Sequence, residues 1–229
     1  MEGRECRLRF SIDWFNFAPI PSVTLPRMRG NSRSMKPFLV SLAVAFVATV
    51  LAVPALRAAE GKSASKEVAV IKTSEGDMVI EFWPEVAPQT VASFIKLAKD
   101  GFYNGTCFHR IIKGFMIQGG DPLSKDPSKE NLWGSGNADH YLKAEFSDRH
   151  HARGVISMAR SREPDSASCQ FFICLADQKR LDGQYTAFGH LIKGDDVLTK
   201  LGDTPVHGSK PVKRAAIESI KIVPAKSIK

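Results

Sequence analysis

Cysteine is scarce in this sequence and never closely paired. Among 229 residues there are four, Cys6, Cys107, Cys169 and Cys174. None stands in Cys-x-x-Cys spacing and no His/Cys cluster suggests zinc. Cys169 and Cys174 are five apart in a predicted strand and so point to opposite faces, which disfavours a disulfide between them. The three cysteines beyond residue 60 read as small buried hydrophobes. A phosphate loop is missing as well. Gly134-Ser135-Gly136-Asn137 is followed by no Lys-Ser/Thr pair and has no strand-to-helix context. Ser157 and Ser168 lack a Gly-x-Ser-x-Gly elbow, which removes the usual signature of a serine hydrolase. Asp148, His150 and His151 crowd together in a predicted loop, but no metal is expected there.

Strong charge bias is absent from most of the chain. The formal charge is +8, yet residues 1–60 hold eight of the 32 basic and four of the 24 acidic side chains. Half of the excess therefore sits in that leading stretch. Beyond residue 60 no Lys/Arg run interleaves with aromatics, so nucleic acid is not an expected partner. A nucleic-acid or acidic-surface binder would rest on the pI of about 9.4 alone. A hydrophobic content of 43% suits one globular domain with an extension.

Residues 1–34 show no periodicity. An uncharged stretch from Pro37 to Leu56 follows, with its apolar heart at Phe38–Val53. Arg29, Arg33 and Lys36 precede it, and small residues follow at Ala55, Ala58 and Ala59. A basic lead, an apolar run and small residues in that order are the layout of a secretory signal peptide. Translation is expected to start at Met28 or Met35, which makes residues 1–34 an extension foreign to the native protein. Residues 35–59 are then a signal peptide and residues 60–67 a polar linker. The alternative is an uncleaved membrane tether through residues 38–53, a run shorter than the usual span of about 20 residues. Either way the domain is expected outside the cytoplasm, as an exported, periplasmic protein.

The domain is expected to span residues 68–224, with a short tail at 225–229. Val68–Thr73 and Asp77–Trp83 alternate around a turn at Ser74-Glu75-Gly76 and read as a β-hairpin. Pro88 opens a helix with apolar positions at Val91, Phe94, Ile95 and Ala98, and Gly101 ends it. Asp121 to Tyr141 is a long polar segment of the kind that borders functional sites. Strands are expected at Val155–Met158, Gln170–Leu175, Thr186–Ile192 and Ile217–Val223, with a short helix near Asp195–Leu201. Many short strands and two helices predict a mainly β protein, a closed antiparallel barrel with helical caps.

The most informative stretch is Phe108 to Asp121, Phe-His-Arg-Ile-Ile-Lys-Gly-Phe-Met-Ile-Gln-Gly-Gly-Asp. It reads as two short strands joined at Lys113-Gly114 and closed by Gly119-Gly120, with Arg110 and Gln118 set among apolar residues. This segment closely resembles the signature of the cyclophilin-type peptidyl-prolyl cis-trans isomerases, and its sequence style is similar to that of bacterial members. Two further blocks extend the resemblance over roughly residues 66–224. One is Gly154-Val155-Ile156-Ser157-Met158-Ala159-Arg160 with Ser168-Cys169-Gln170-Phe171-Phe172-Ile173. The other is Leu181-Asp182-Gly183 with Phe188-Gly189.

The resemblance implies an eight-stranded closed barrel capped by two helices, an isomerase without cofactor or metal, proline-containing polypeptides as partners, and a monomer. Rotation about an X-Pro bond is resisted by about 18–20 kcal/mol of amide resonance and is slow enough to limit folding. The implied catalyst is Arg110, donating to the prolyl nitrogen of the twisted amide, with Gln118 orienting it and bonding the substrate backbone. Phe115, Met116, Phe172 and Leu181 would form the pocket for the proline ring. Ala159 and Gln170 would line the groove, Arg160 would act through its main chain, and Tyr185 would close the wall. His109 is expected on the other side of its strand, in a structural role. Arg180 stands where some members carry a Trp that packs on cyclosporin, Arg160 where many have Asn, Tyr185 where many have His, and Lys113 where close relatives have Pro.

A non-catalytic proline-peptide binder or chaperone module is the alternative function, although simple binding would not require Arg110. For the leading segment, mass spectrometry of the exported protein should find a new N-terminus just after Ala55, Ala58 or Ala59. An intact Met1 in that fraction would overturn the signal-peptide reading.

Overall fold

A computed structural model describes residues 66–228 of the chain. The expectations for the leading extension, for the signal peptide or tether, and for most of the linker fall outside the described residues. Strands β1 (Glu67–Thr73) and β2 (Gly76–Phe82) form the hairpin expected from their alternation, in the register Val70↔Val79. Helix α1 (Pro88–Lys99) follows, with proline in its first turn where a missing N–H costs nothing. No side chain at its own N-cap closes the helix. Instead the carboxylate of Glu145 accepts from the free N–H groups of Gln89 and Thr90 at 3.0 and 2.9 Å.

Next come β3 (Arg110–Ile112) and β4 (Met116–Gly119), turned at Gly114. Its φ of +70° lies in the left-handed region that a side chain makes costly. The remaining elements are β5 (Val155–Met158), β6 (Phe171–Cys174), β7 (Ala187–Lys193), α2 (Asp195–Gly202), β8 (Val206–His207), β9 (Lys210–Pro211) and β10 (Ile217–Pro224). The expected boundaries at β5, β6, β7, α2 and β10 hold to within a residue or so. The long segment after Asp121 contains only two short 3-10 turns, at Pro122–Lys125 and Pro127–Leu132.

Eight strands make one curled antiparallel sheet in the order β10-β1-β2-β7-β5-β6-β4-β3, and β8 pairs only with β9. The expectation of a closed barrel is corrected here. The terminal strands β3 and β10 share no ladder; a single bridge between Cys107 and Ala216 is the nearest approach to one. The reason is local. β3 has only three residues, and the outward N–H of Ile111 is taken by the carbonyl of Ser209, in the β8–β9 turn, at 2.7 Å. The sheet is therefore an open half-barrel.

The main core lies between α1 and the sheet. Phe94 of α1 meets Tyr103, Phe171 and Phe188 at ring-centroid separations of 5.0, 5.4 and 5.3 Å, within the range favoured by aromatic pairs. Val91, Phe94 and Ala98 are buried as their spacing implies, whereas Ile95 is only partly covered. Cys107, Cys169 and Cys174 are buried free thiols. Cys169 belongs to the main core and Cys174 to a second apolar cluster.

His109 is buried, and neither ring nitrogen has a hydrogen-bond partner among the described residues. Burial pushes its pKa from 6.5 down to about 4, against the opposing pull of Asp121. Above pH 6.5 the ring is neutral whether the chain is folded or unfolded, and its contribution is complete. Below that, the unfolded chain takes up a proton that the folded one refuses, so stability falls until about pH 4. Replacing His109 by Phe should remove up to about 1.4 kcal/mol per pH unit from the acid dependence of unfolding in that window. Urea titrations at several pH values would measure it, and an unchanged slope would contradict this account.

Candidate functional site

Period-two alternation in two neighbouring strands builds the site. In β6, Phe171 and Ile173 enter the main core, while Phe172 and Cys174 face the other way. In β4, Ile117 joins the main core and Met116 joins the second face. Phe115, Met116, Phe172, Cys174 and Leu181 form one buried cluster, with Ile112, Ala159 and Tyr185 packed at its edge. All the apolar residues expected for the pocket thus meet in one place. Phe172 and Tyr185 meet edge to face at 5.7 Å. Arg180 places its guanidinium 4.6 Å from the centre of the Phe115 ring.

The polar row beside this cluster follows from strand register. Arg110 lies directly opposite Gln118, and Gln118 directly opposite Phe172. Residues opposed in this way project from the same face. Arg110 Nη1 donates to Gln118 Oε1 at 3.1 Å. Gln118 Nε2 then donates to Gln170 Oε1 at 3.0 Å. Gln170 Nε2 donates in turn to the carbonyls of Gly134 and Gly136 at 3.0 and 2.8 Å. Every link runs in one direction, so the guanidinium is oriented through two amides by the backbone of the glycine loop. Arg110 is half-buried, and burial lowers its pKa while nearby Tyr185 opposes the shift. An arginine so placed keeps its charge.

Gln118 thus stands between Arg110 and Gln170, bonded to both. Ala159 sits beside Gln170 through a bond from its N–H to the Gln170 carbonyl at 2.9 Å. Arg160, two residues past the end of β5, turns its side chain back to the carbonyl of Gln184. His109 has no place in the apolar cluster of the site.

Three residues of this region were given no part in the site by the sequence reading. Asp121 is fully buried, and its carboxylate accepts from Leu123 N at 2.7 Å, from Gly134 N and from Gly136 N. It holds the glycine loop whose carbonyls receive Gln170. A Cβ at Gly136 would lie 2.0 Å from Asp121 Oδ1, so no larger residue fits. The loop's N–H groups are thus spent on an internal carboxylate. The Asp-Pro step at the end of the signature was the available signal, being a common way to start a helical turn.

The second feature is Asp182. It accepts from the backbone N–H of His151 at 2.8 Å and contacts the rings of His151 and His150 at 2.9 and 2.8 Å. Burial would raise its pKa, but these bonds outweigh burial and hold it near 2. The Asp182 bond raises His150, whereas burial lowers His151. The third feature is His151 itself, which stacks on Phe172 at 6.3 Å and contacts Ser157 Oγ through Nε2 at 3.1 Å. Carboxylate, imidazole and hydroxyl stand in the order used by serine hydrolases. Yet His151 and Ser157 are wholly buried, which denies a substrate carbonyl any approach. The row backs Phe172 from behind.

Residues 68–222 match the family described as cyclophilin type peptidyl-prolyl cis-trans isomerase. A probable peptidyl-prolyl cis-trans isomerase of Brucella abortus (strain 2308) is 41% identical over 165 residues, covering 69% of this chain and 82% of that protein. A peptidyl-prolyl cis-trans isomerase-like 2 of Rhizopus delemar is 40% identical over 164 residues, which is 70% of this chain but 30% of that longer protein. Among solved structures, a Cryptosporidium parvum cyclophilin type isomerase, crystallised in the presence of the dipeptide Ala-Pro, is similar with a TM-score of 0.63 and 34% identity. The match covers 68% of this chain and 98% of that one. The cyclophilin AquaCyp293 from Hirschia baltica shares the fold at a TM-score of 0.58 and 24% identity, over 72% and 76% of the two chains.

Removing the Asp121 charge should loosen the glycine loop. Asp121→Asn is expected to cost about 1.5–3 kcal/mol, the usual size for a hydrogen bond to a charged group. Urea unfolding would measure it, and a loss below about 0.5 kcal/mol would show that the loop stands without its carboxylate.

Proposed function

The chain belongs to the cyclophilin-type peptidyl-prolyl cis-trans isomerases, and from that premise we propose how its residues turn an X-Pro bond. The proline ring rests against Phe115, Met116, Phe172 and Leu181, with Tyr185 as the side wall. This seat is dry because its lining is apolar. Arg110 donates a hydrogen bond to the prolyl nitrogen as the amide twists.

In a planar amide that nitrogen shares its lone pair with the carbonyl and accepts poorly. At the half-turned geometry the lone pair is localised and accepts well. A fixed cation beside it therefore binds the twisted state better than either planar one, which is what lowers a barrier. No covalent step is involved. The low end of enzymatic acceleration needs about 8 kcal/mol, and one charge-assisted hydrogen bond supplies about 1.5–3 kcal/mol. The grip on the proline ring and the groove contacts at Ala159, Gln170 and the Arg160 main chain contribute the remainder.

One observation carries this reading. The cross-strand row Arg110–Gln118–Phe172 sets a guanidinium and a ring of the apolar cluster on one face, with the guanidinium oriented by the amide between them. The Ala-Pro dipeptide used with the Cryptosporidium parvum relative supports proline-containing polypeptides as the substrate class. The order of basic, apolar and small residues between Arg29 and Ala59 supports a place of action outside the cytoplasm, where the substrates would be exported proteins during folding.

A protease-coupled assay on an Ala-Pro peptide tests the mechanism. Arg110→Ala should lower kcat/KM by about 10²–10³-fold, the effect of removing one transition-state donor, while still binding the peptide. Equal rates for the two proteins would defeat the assignment of Arg110.

A further inference from the structure

Arg160 does more than supply main-chain groups. Its Nε and Nη2 both donate to the carbonyl of Gln184, at 3.1 and 2.9 Å. Its Nη1 donates to the carbonyls of Ser161 and Arg162, at 2.9 and 3.1 Å. The guanidinium carbon lies 4.7 Å from the ring centre of Tyr185 and 5.6 Å from that of Phe146. One planar group therefore bonds three backbone carbonyls and covers two aromatic faces. It ties the segment leaving β5 to the turn that leads into β7.

That turn carries two residues of the apolar cluster, Leu181 and Tyr185. It is folded tightly on itself, since the N–H groups of Gln184 and Tyr185 both reach the carbonyl of Leu181 at 3.0 and 3.1 Å. Its far end is held by Asp182 through His150 and His151. At its near end, Arg160 holds the Gln184 carbonyl and lies over the Tyr185 ring. Tyr185 in turn meets Phe172 edge-on and lies close enough to Arg110 to oppose the lowering of its pKa by burial.

We propose that Arg160 is a positioning residue, whose guanidinium sets the place of Tyr185 and thereby the width of the seat for the proline ring. The proposal rests on the isomerase reading and deepens it. Only an arginine side chain meets the requirement. A bidentate grip on one carbonyl, two further carbonyls and a flat stack on a phenol ring need a planar fork of donors, which the ammonium of lysine lacks. The Tyr185 wall grips the proline ring in its planar and twisted states alike. Loosening it removes uniform binding, so the loss falls on KM and leaves kcat nearly intact. Arg110 differs in this respect, because its bond strengthens only as the amide turns.

The experiment compares wild type, Arg160→Lys, Tyr185→Ala and the double variant on an Ala-Pro peptide. It reads KM and kcat separately by line-shape exchange NMR, and peptide affinity by titration in the same samples. Arg160→Lys is expected to raise KM and the dissociation constant about five- to tenfold, with kcat within about twofold of wild type. The Tyr185 ring signals should move as well. The double variant should lose no more affinity than Tyr185→Ala alone, because the two residues act as one unit. Wild-type affinity in Arg160→Lys with unmoved Tyr185 signals overturns the proposal, as do fully additive losses in the double variant. A wild type that binds the peptide without turning it over defeats the isomerase reading instead, and the affinity comparison then still decides the role of Arg160.

Discussion

Strand β6 is buried on both faces, and its alternation separates the two halves of this molecule's physics. Phe171 and Ile173 lie in the main core, where Phe171 meets Phe94 of α1 and Tyr103. Phe172 and Cys174 line the opposite side, where the apolar cluster of the site is built. A one-residue slip in register would exchange these sets and would put Phe172 into the core. Because Phe171 is locked among aromatic rings, such a slip would disrupt close packing throughout the interior. The stability of the fold and the placement of the site therefore rest on the same strand.

The polar groups of the site form chains that end in backbone. Arg110 is oriented by Gln118, Gln118 by Gln170, and Gln170 by the glycine loop that buried Asp121 secures. Asp182 secures the opposite side through two histidines. Satisfied networks of this kind hold side chains in one arrangement, and partly satisfied ones do not. Arg160 and Tyr185, two of the four positions at which this sequence differs from many members, touch each other.

Local pattern made much of this legible. The hairpin at residues 67–82, helix α1 and the strands β5, β6 and β10 follow from periodicity, and the residues expected around the proline ring come from the resemblance to the family. Other features escaped because their partners are distant in sequence. Glu145 caps α1 from 55 residues away, and no N-cap signal at Ala87 announces it. The β8–β9 hairpin has two residues per strand, one of them Pro211, too short for alternation to show. Its covering of β3 keeps the sheet from closing. His150 and His151 read, with Asp148, as a loop group that resembles a metal cluster only superficially. Asp182, more than thirty residues further on, bonds both, and His151 stacks on Phe172.

The sequence alone determined most of the elements and the family, because alternation, helical spacing and a contiguous motif are properties of neighbouring residues. Tertiary structure alone decided the open sheet, the single-direction amide row behind Arg110 and the double use of Arg160. Each of these depends on groups that meet only when distant segments are packed together, and no spacing along the chain encodes the distance between them.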